Sequence, residues 1–126
     1  MDQQITRALS RGQVADITTT GRHSGQPRRI EIVFHNFGGR IYISGMPGPR
    51  SWYANLVADP NFTFHLKRDV RADLPARARP ITDEPERRDV MSKIARIWRR
   101  TDLDRMMASS PLVEVLVEGY EAASAA

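Results

Sequence analysis

The sequence contains no cysteine. This absence excludes a disulfide framework, a thiolate nucleophile, a cysteine-ligated zinc site and an iron–sulfur cluster. It also has no run of about 18 apolar residues that could form a membrane-spanning helix. The first four residues, Met1 to Gln4, lack the basic and then apolar segments of a secretory signal. We therefore expect a soluble, cytoplasmic protein with at most peripheral membrane contact.

Lysine is scarce as well. Of the 19 basic residues only Lys67 and Lys93 are lysines, so the other 17 are arginines. Guanidinium groups suit bidentate contacts with phosphate or carboxylate, which favours an anionic ligand. The alternative is a coding bias towards arginine, with most of these groups simply solvated. Residues 1–60 hold seven arginines against four acids, whereas the second half is nearly balanced, so the excess positive charge lies in the first half.

The chain of 126 residues is typical of one hydrophobic core, so we expect a single domain over residues 1–126. Its first half predicts β-structure. A short helix or arm is expected within residues 1–12, followed by a β-branched strand from Val14 to Thr20. Alternation of Ile30, Ile32 and Phe34 predicts a strand with one face in the core. A turn at residues 36–39 then predicts a hairpin with residues 40–44.

The second half adds the main helix. Ser51 is expected to cap a short helix over residues 52–58. A strand with an apolar face follows at residues 62–67. The next extended segment, residues 70–78, is predicted to be an edge or bulged strand because of the prolines at positions 75 and 80. Asp83 and Pro85 begin the main helix, and residues 112–118 alternate as a last strand. One apolar stripe is expected on that main helix: Val90, Met91, Ile94, Ile97 and Trp98. Residues 102–107 predict a further helical turn or two, and residues 120–126 a disordered tail.

About six strands joined by short connections, without regular crossover helices, exclude a doubly wound parallel sheet. We predict a mainly β (α+β) fold, a small antiparallel barrel with one main helix and one or two short helices. Closure of the barrel removes edges that short apolar strands otherwise expose.

A basic, glycine-containing loop is the first candidate for chemistry. Arg22, His23, Ser24 and Arg28 offer guanidinium forks, an imidazole and a hydroxyl, which together suit phosphate oxygens. The second glycine-rich loop, residues 45–50, is expected to converge on it at one end of the barrel, beside Trp52, Tyr53 and Asn55. The alternatives are an ordinary basic loop and a short helix that merely packs on the core.

Other classes of site find less support. No His-Glu-x-x-His run exists, and no predicted helix carries a histidine with a carboxylate or a second histidine four positions away, so no metal site is predicted. His35 and His65 are expected on polar strand faces, solvated or hydrogen-bonded. No nucleophile elbow or triad spacing occurs. The sequence pI of about 10.1 raises nucleic acid as a partner. The strands place their aromatic residues mainly on the same face as the aliphatic ones, hence inside the barrel, which disfavours that partner.

Two segments carry a family resemblance. Thr18 to Arg28 reads T-T-T-G-R-H-S-G-Q-P-R, and Trp52 to Pro60 reads W-Y-A-N-L-V-A-D-P. Together they resemble the deazaflavin (F420)-dependent nitroreductase and quinone reductase family of actinobacteria. The resemblance extends from about Asp16 to Val117 and implies a split β-barrel. It also implies an oxidoreductase that transfers a hydride from reduced F420 to a quinone, a nitro compound or an unsaturated lipid-like acceptor.

The resemblance further implies roles for individual residues. The phosphate tail of the cofactor would contact the basic loop, the ring would lie along the end of a strand, and the short helix would border the cofactor. The residues implied for the phosphate tail are Arg22, His23, Ser24 and Arg28. Those implied along the ring are Ser44 and Gly45, and those implied at the border of the cofactor are Trp52 and Asn55.

The chain also departs from the family pattern. Other members often carry lysine at the position of His23, a Ser-Lys pair where this chain has Met46-Pro47, and a tyrosine in place of Val33. These differences make it more similar to the short, lipid-associated branch of the family. The alternative function is therefore a split-barrel protein that binds a fatty acid or another hydrophobic ligand without redox turnover.

Overall fold

The computed structural model describes residues 1–121, which form a six-stranded barrel with four helices. In chain order the elements are α1 (Gln3–Leu9), β1 (Gln13–Thr20), β2 (Pro27–Phe37), β3 (Arg40–Ser44), α2 (Ser51–Ala58), β4 (Asn61–Leu66), β5 (Ala72–Pro80), α3 (Glu84–Ile97), α4 (Leu103–Ser109) and β6 (Leu112–Val117).

The strands close into a barrel in the order β1-β2-β3-β6-β5-β4, and every neighbouring pair is antiparallel. The prediction of a mainly β, α+β antiparallel barrel is confirmed. α3 is the main helix, and within residues 1–121 it is accompanied by three short helices rather than one or two. Because β1 is antiparallel to both β2 and β4, and β2 is antiparallel to β3, the β1–β2 connection, the start of β4 and the end of β3 lie at the same end of the barrel.

The barrel interior follows the period-2 alternation of the strands. Phe34 of β2 and Phe64 of β4 are fully buried and meet edge to face, with ring centroids 5.1 Å apart. Ile17 of β1 and Val113 of β6 are also fully buried in this cluster. Edge-to-face aromatic pairs add to the stabilisation that burial provides.

A second apolar cluster lies between the outer face of the barrel and the two C-terminal helices. Met91 and Ile94 of α3 and Met106 of α4 are fully buried against Tyr42 and Leu112. The predicted stripe is correct for most of α3 but wrong for Ile97, which is 56% exposed. Ile97 falls at the edge of the helical stripe, where the helix has already turned away from the sheet.

Charged residues fix the beginning of α3. The side chain of Asp83 accepts a hydrogen bond from the backbone N–H of Glu86, and Pro85 stands in the first turn. The guanidinium of Arg79 in β5 bridges Glu86 of α3 and the buried Glu114 of β6, with Nη2 2.8 Å from Glu114 Oε1. This contact holds the pKa of Glu86 below its ordinary value.

The expectation that β5 is an edge or bulged strand is wrong, because it pairs with β4 and β6 in continuous register. Its prolines fall where no partner is needed. The backbone N–H of Ala78 donates to Pro60 O, just before the start of β4. Because alternate residues of a strand face the same neighbour, position 80 also faces the β4 side, but beyond the end of β4. The backbone N–H of Ile81 donates to Leu112 O, so odd-numbered positions, including 75, face the β6 side. Position 75 lies beyond Ala76–Val117, the last residue pair between β5 and β6. Neither missing N–H interrupts a ladder.

The N-terminal helix closes the opposite end of the barrel. Asp2 caps α1 by accepting from the N–H groups of Gln4 and Ile5, and Leu9 is fully buried. Tyr120, which the sequence places in a disordered tail, is partly buried against the core, and its hydroxyl accepts from Asn36 Nδ2 at 3.2 Å. The rest of that predicted tail, residues 122–126, lies outside the described residues.

Among the helices within residues 1–121, none combines the length and the apolar character needed to cross a bilayer.

Candidate functional site

The basic loop between β1 and β2 is a tight turn with glycine at two key positions. Gly21 N–H donates to Gln26 O and Gly25 N–H donates to Gly21 O, both at 2.8 Å. A Cβ at Gly21 would stand 2.7 Å from Ser24 Oγ and would displace this hydroxyl. Gly25 has a φ of +70°, which would strain the backbone of most other residues. The turn therefore presents Arg22, His23 and Ser24 at a fixed place beside the barrel.

Asn55 joins this turn to α2. It is buried, and its Nδ2 donates to Thr19 Oγ1 at 3.1 Å. Its Oδ1 accepts from both the backbone N–H and the Nη1 of Arg22, at 3.1 and 2.9 Å. One side chain thus connects β1, the turn and the short helix. A buried amide with these partners is satisfied on both its donor and its acceptor side.

The turn and α2 form opposite walls of one cleft of about 390 Å³. The expected convergence of the turn with the Trp52 segment is therefore present in the structure, but the 45–50 loop, which was expected beside it, does not line the cleft. The cleft is lined by Thr19, Gly21, Arg22, His23, Ser24, Arg28, Ile30, Ser51, Trp52 and Asn55. Sequence reasoning missed Thr19, Gly21, Ile30 and Ser51. Thr19 carried a signal, since it is a hydroxyl on the inward face of β1 and needs a buried partner.

The two arginines of the cleft keep hydrogen-bonding capacity. Arg28 Nη2 donates to Ser24 Oγ at 3.3 Å, and Arg22 Nη1 donates to Asn55 Oδ1 and Ser51 O. Within residues 1–121 neither guanidinium lies within 4 Å of a carboxylate. Each guanidinium has five N–H donors, so both retain donors and an uncompensated charge for an anion.

The first turn of α2 adds backbone donors. The residue expected to cap this helix, Ser51, is instead its first residue, and Arg50 occupies the cap position without a side-chain capping bond. The prediction of a serine cap is wrong because the helix begins one residue earlier than its apolar pattern suggests. Ser51 and Trp52 of this first turn line the cleft. N–H groups without a capping side chain favour an anion.

Ser44 and Gly45 are not among the residues that line the cleft. The hydroxyl of Ser44 is buried and donates to Pro111 O at 2.6 Å, with Met91 Sδ at 3.7 Å. A Cβ at Gly45 would lie 3.3 Å from Pro111 Cγ. Both residues thus fix the end of β3 against the start of β6.

Val33, where other family members carry a tyrosine, lies on β2 and is 44% exposed.

His35 and His65 are both buried, and the expectation of a solvated or hydrogen-bonded histidine on a polar face is wrong only for His35, whose Nε2 has no partner among the described residues. The ring of His35 lies between Phe37 and Trp98, with centroid distances of 5.8 and 5.4 Å, because the end of α3 covers that face. Burial lowers the pKa of His35. His65 is hydrogen-bonded, as expected, to Thr18 Oγ1 and Asp73 Oδ1, each at 2.7 Å. Residues 1–121 contain no group of three potential metal-ligating side chains.

Solved structures with the same fold come from several bacterial proteins. A protein described as a pyridoxamine 5'-phosphate oxidase from Listeria innocua is 15% identical, with a TM-score of 0.71 and coverage of 90% of each chain. The conserved hypothetical protein Rv2991 from Mycobacterium tuberculosis is 18% identical, with a TM-score of 0.70 and coverage of 94% of this chain and 81% of that one. A structure described as an F420 reductase is 16% identical, with a TM-score of 0.70 over 98% of this chain and all of the other.

The sequence also matches a family model. The match is to the F420H(2)-dependent quinone reductase family and spans residues 1–119, nearly the whole chain. It contains the turn, α2 and every strand of the barrel. The chain therefore belongs to the F420H(2)-dependent quinone reductase family, and it is an oxidoreductase whose cofactor is F420.

Proposed function

We propose that the cleft between the turn and α2 holds the phosphate-bearing part of F420 for hydride transfer to a planar acceptor. When bound, reduced F420 supplies the hydride, and the protein supplies binding and orientation. The observation that carries the proposal is the pair of guanidiniums, Arg22 and Arg28, which face one cleft without a carboxylate partner. A phosphodiester provides the missing negative charge.

The two arginines would act differently. Arg22 is anchored by Asn55 and Ser51, so it is pre-oriented and loses little side-chain entropy when an anion binds. Arg28 has only Ser24 as a described partner, so more of its donors are available for phosphate oxygens. Ser24 Oγ already accepts from Arg28 and from Gln26 N–H, which leaves its own hydrogen for the ligand. His23 is exposed at the rim and would add a donor.

The opposite wall would border the rest of the cofactor. Trp52 lines the cleft and offers an indole beside it, and its neighbour Ser51 opens α2. Asn55 would act by holding Arg22 in place. The hydroxyl of Ser44 is committed to Pro111, so any contact of Ser44 or Gly45 with the ring would be made through the backbone.

The acceptor is part of the same proposal. Membership of the family supports a quinone acceptor, and we extend the proposal to nitro compounds and unsaturated lipid-like molecules, which are also electron-poor acceptors of a hydride. Turnover of F420H2 with menadione, a nitroarene and an unsaturated acyl ester, measured side by side, ranks the three classes. Binding of a hydrophobic ligand without any turnover would favour the non-redox alternative.

Titration with F420 tests the cleft. We expect Arg28→Gln to weaken F420 binding by at least tenfold, because a charge-assisted contact contributes about 1.5 to 3 kcal/mol. Arg77→Gln is a matched control, since Arg77 is exposed on β5 and does not line the cleft. Quenching of deazaflavin fluorescence at fixed ionic strength reports both affinities. Equal affinities for the two variants would refute the assignment of the cleft.

A further inference from the structure

A second cavity of about 730 Å³ lies on the other side of α2 from the cleft, and we call it the α2–α4 cavity. It is enclosed by the 48–50 loop, Tyr53 of α2, the beginning of α3 and the end of α4. Its lining has no residue in common with that of the cleft. A volume in this range is typical of sites for small organic ligands.

Arg87 of α3 forms one wall of the α2–α4 cavity. Its Nε donates to Met107 O, Nη1 to Ile81 O, and Nη2 to Met106 O and Ser110 O. These bonds satisfy carbonyls at the end of α4 and leave one N–H unused. No carboxylate among residues 1–121 forms an ion pair with it. Desolvation lowers the pKa of Arg87, but it remains charged at neutral pH.

Arg50 is the second cation in the lining. Its Nη1 donates to Pro49 O at 2.9 Å and its Nη2 to Met46 O at 3.1 Å, both within its own loop. Three of its five donors remain, and within the described residues it too has no ion-pair partner. The loop itself is fixed, because Gly48 N–H donates to Ser109 O at 3.0 Å.

The remaining lining is mostly apolar. Ile81, Met107 and Pro111 form the walls, with the ring of Tyr53 beside them. The two carboxylates that also line the cavity, Glu84 and Asp104, are exposed, and Glu84 is paired with Arg88. The inner part of the cavity therefore carries positive charge against an apolar surface.

We propose that the α2–α4 cavity is a binding site for an organic carboxylate with an apolar body. The carboxylate lies against Arg50 and is attracted by the charge of Arg87. The apolar body packs on Ile81, Met107 and Tyr53. This site is separate from the proposed F420 cleft and does not depend on it.

Calorimetric titration with naphthalene-2-carboxylate and its neutral analogue naphthalene-2-carboxamide tests the proposal. We expect the carboxylate to bind at least tenfold more tightly than the amide. Arg50→Gln should remove this preference, whereas Arg50→Lys should retain part of it and the distant control Arg77→Gln all of it.

Three results would overturn the proposal. They are no carboxylate binding at millimolar concentration, an equal preference in Arg50→Gln and wild type, and displacement of the carboxylate by F420. The last result would place both ligands in one site. Failure of F420 to bind would refute the proposed function and leave this experiment unaffected.

Discussion

Two substitutions of Asn55 test separately its structural role in the cleft and the effect of charge on F420 binding. Asn55→Ala removes the donor to Thr19 Oγ1 and the acceptor for two N–H groups of Arg22. Thr19 is 1% exposed, so its hydroxyl is left without a partner, whereas Arg22 can turn to water. The unsatisfied hydroxyl and the lost packing together should lower the free energy of unfolding by about 2 to 3 kcal/mol.

Asn55→Asp should behave differently. The hydroxyl of Thr19 can rotate to donate to the carboxylate, and Arg22 gains a charged acceptor, so we expect a loss of about 1 kcal/mol or less. The new negative charge faces the proposed phosphate site. At an effective dielectric of about 20 a unit charge about 6 Å from a bound anion costs about 3 kcal/mol, so F420 affinity should fall by at least tenfold.

Urea unfolding and fluorescence titration with F420 measure these two effects. Asn61→Asp is a matched control, because Asn61 is an exposed asparagine at the start of β4 and does not line the cleft. It should leave F420 affinity unchanged. The reasoning is refuted if Asn55→Asp binds F420 as tightly as wild type, or if Asn55→Ala unfolds no more readily than wild type.

Three further substitutions test the fold. Arg99 has a φ of 55° in a Schellman motif at the end of α3, in which Arg100 N–H donates to Ala95 O. Arg99→Gly should therefore stabilise the protein by about 0.5 to 1 kcal/mol in urea unfolding, whereas Arg99→Ala should not. Glu114→Gln weakens a buried ion pair with Arg79 and should cost about 2 to 3 kcal/mol in the same assay; no loss would mean that the pair does not hold α3. Burial lowers the pKa of His35, so the unfolded state takes up a proton at a higher pH than the folded state does. The free energy of unfolding should therefore fall as the pH drops below about 6.5, by at most about 1.4 kcal/mol per pH unit. His35→Phe should remove this slope between pH 6.5 and 5, and the exposed His23→Gln should not.

The strands of the barrel were predictable because their signal is local. Alternation in β2 placed Ile32 and Phe34 inside, and both are buried. A strand's two faces differ in polarity wherever one of them meets a core, and no knowledge of distant residues is needed to read this.

Other features depend on contacts between distant segments, and these could not be predicted. The outward face of β2 at His35 looks open in sequence, but the end of α3, more than 60 positions away, covers it. β5 looks like an edge because of its prolines, yet each proline lies beside the end of a neighbouring strand. Proline rules describe one strand, whereas the length of its partners decides whether an N–H is missed.

The candidate site shows the same division. The basic turn and the Trp52 segment could be identified from their residues, since both carry groups suited to a phosphorylated ligand. The link between them could not be identified, because it depends on one buried amide, that of Asn55. This amide bonds to Thr19, 36 positions away in sequence, and to Arg22, 33 positions away. The α2–α4 cavity is lined by three separate segments, 48–53, 81–88 and 104–111, so no local pattern predicts it.

Mapping of backbone amide shifts during addition of F420 to the 15N-labelled protein tests the central claim most directly. The account predicts that the largest changes fall on Gly21, Ser24 and Gly25 of the turn and on Ser51 and Trp52 of α2, with the hairpin at Gly38 and Gly39 unaffected. Changes that cluster at the hairpin or along α1, with the turn and α2 unperturbed, would contradict it.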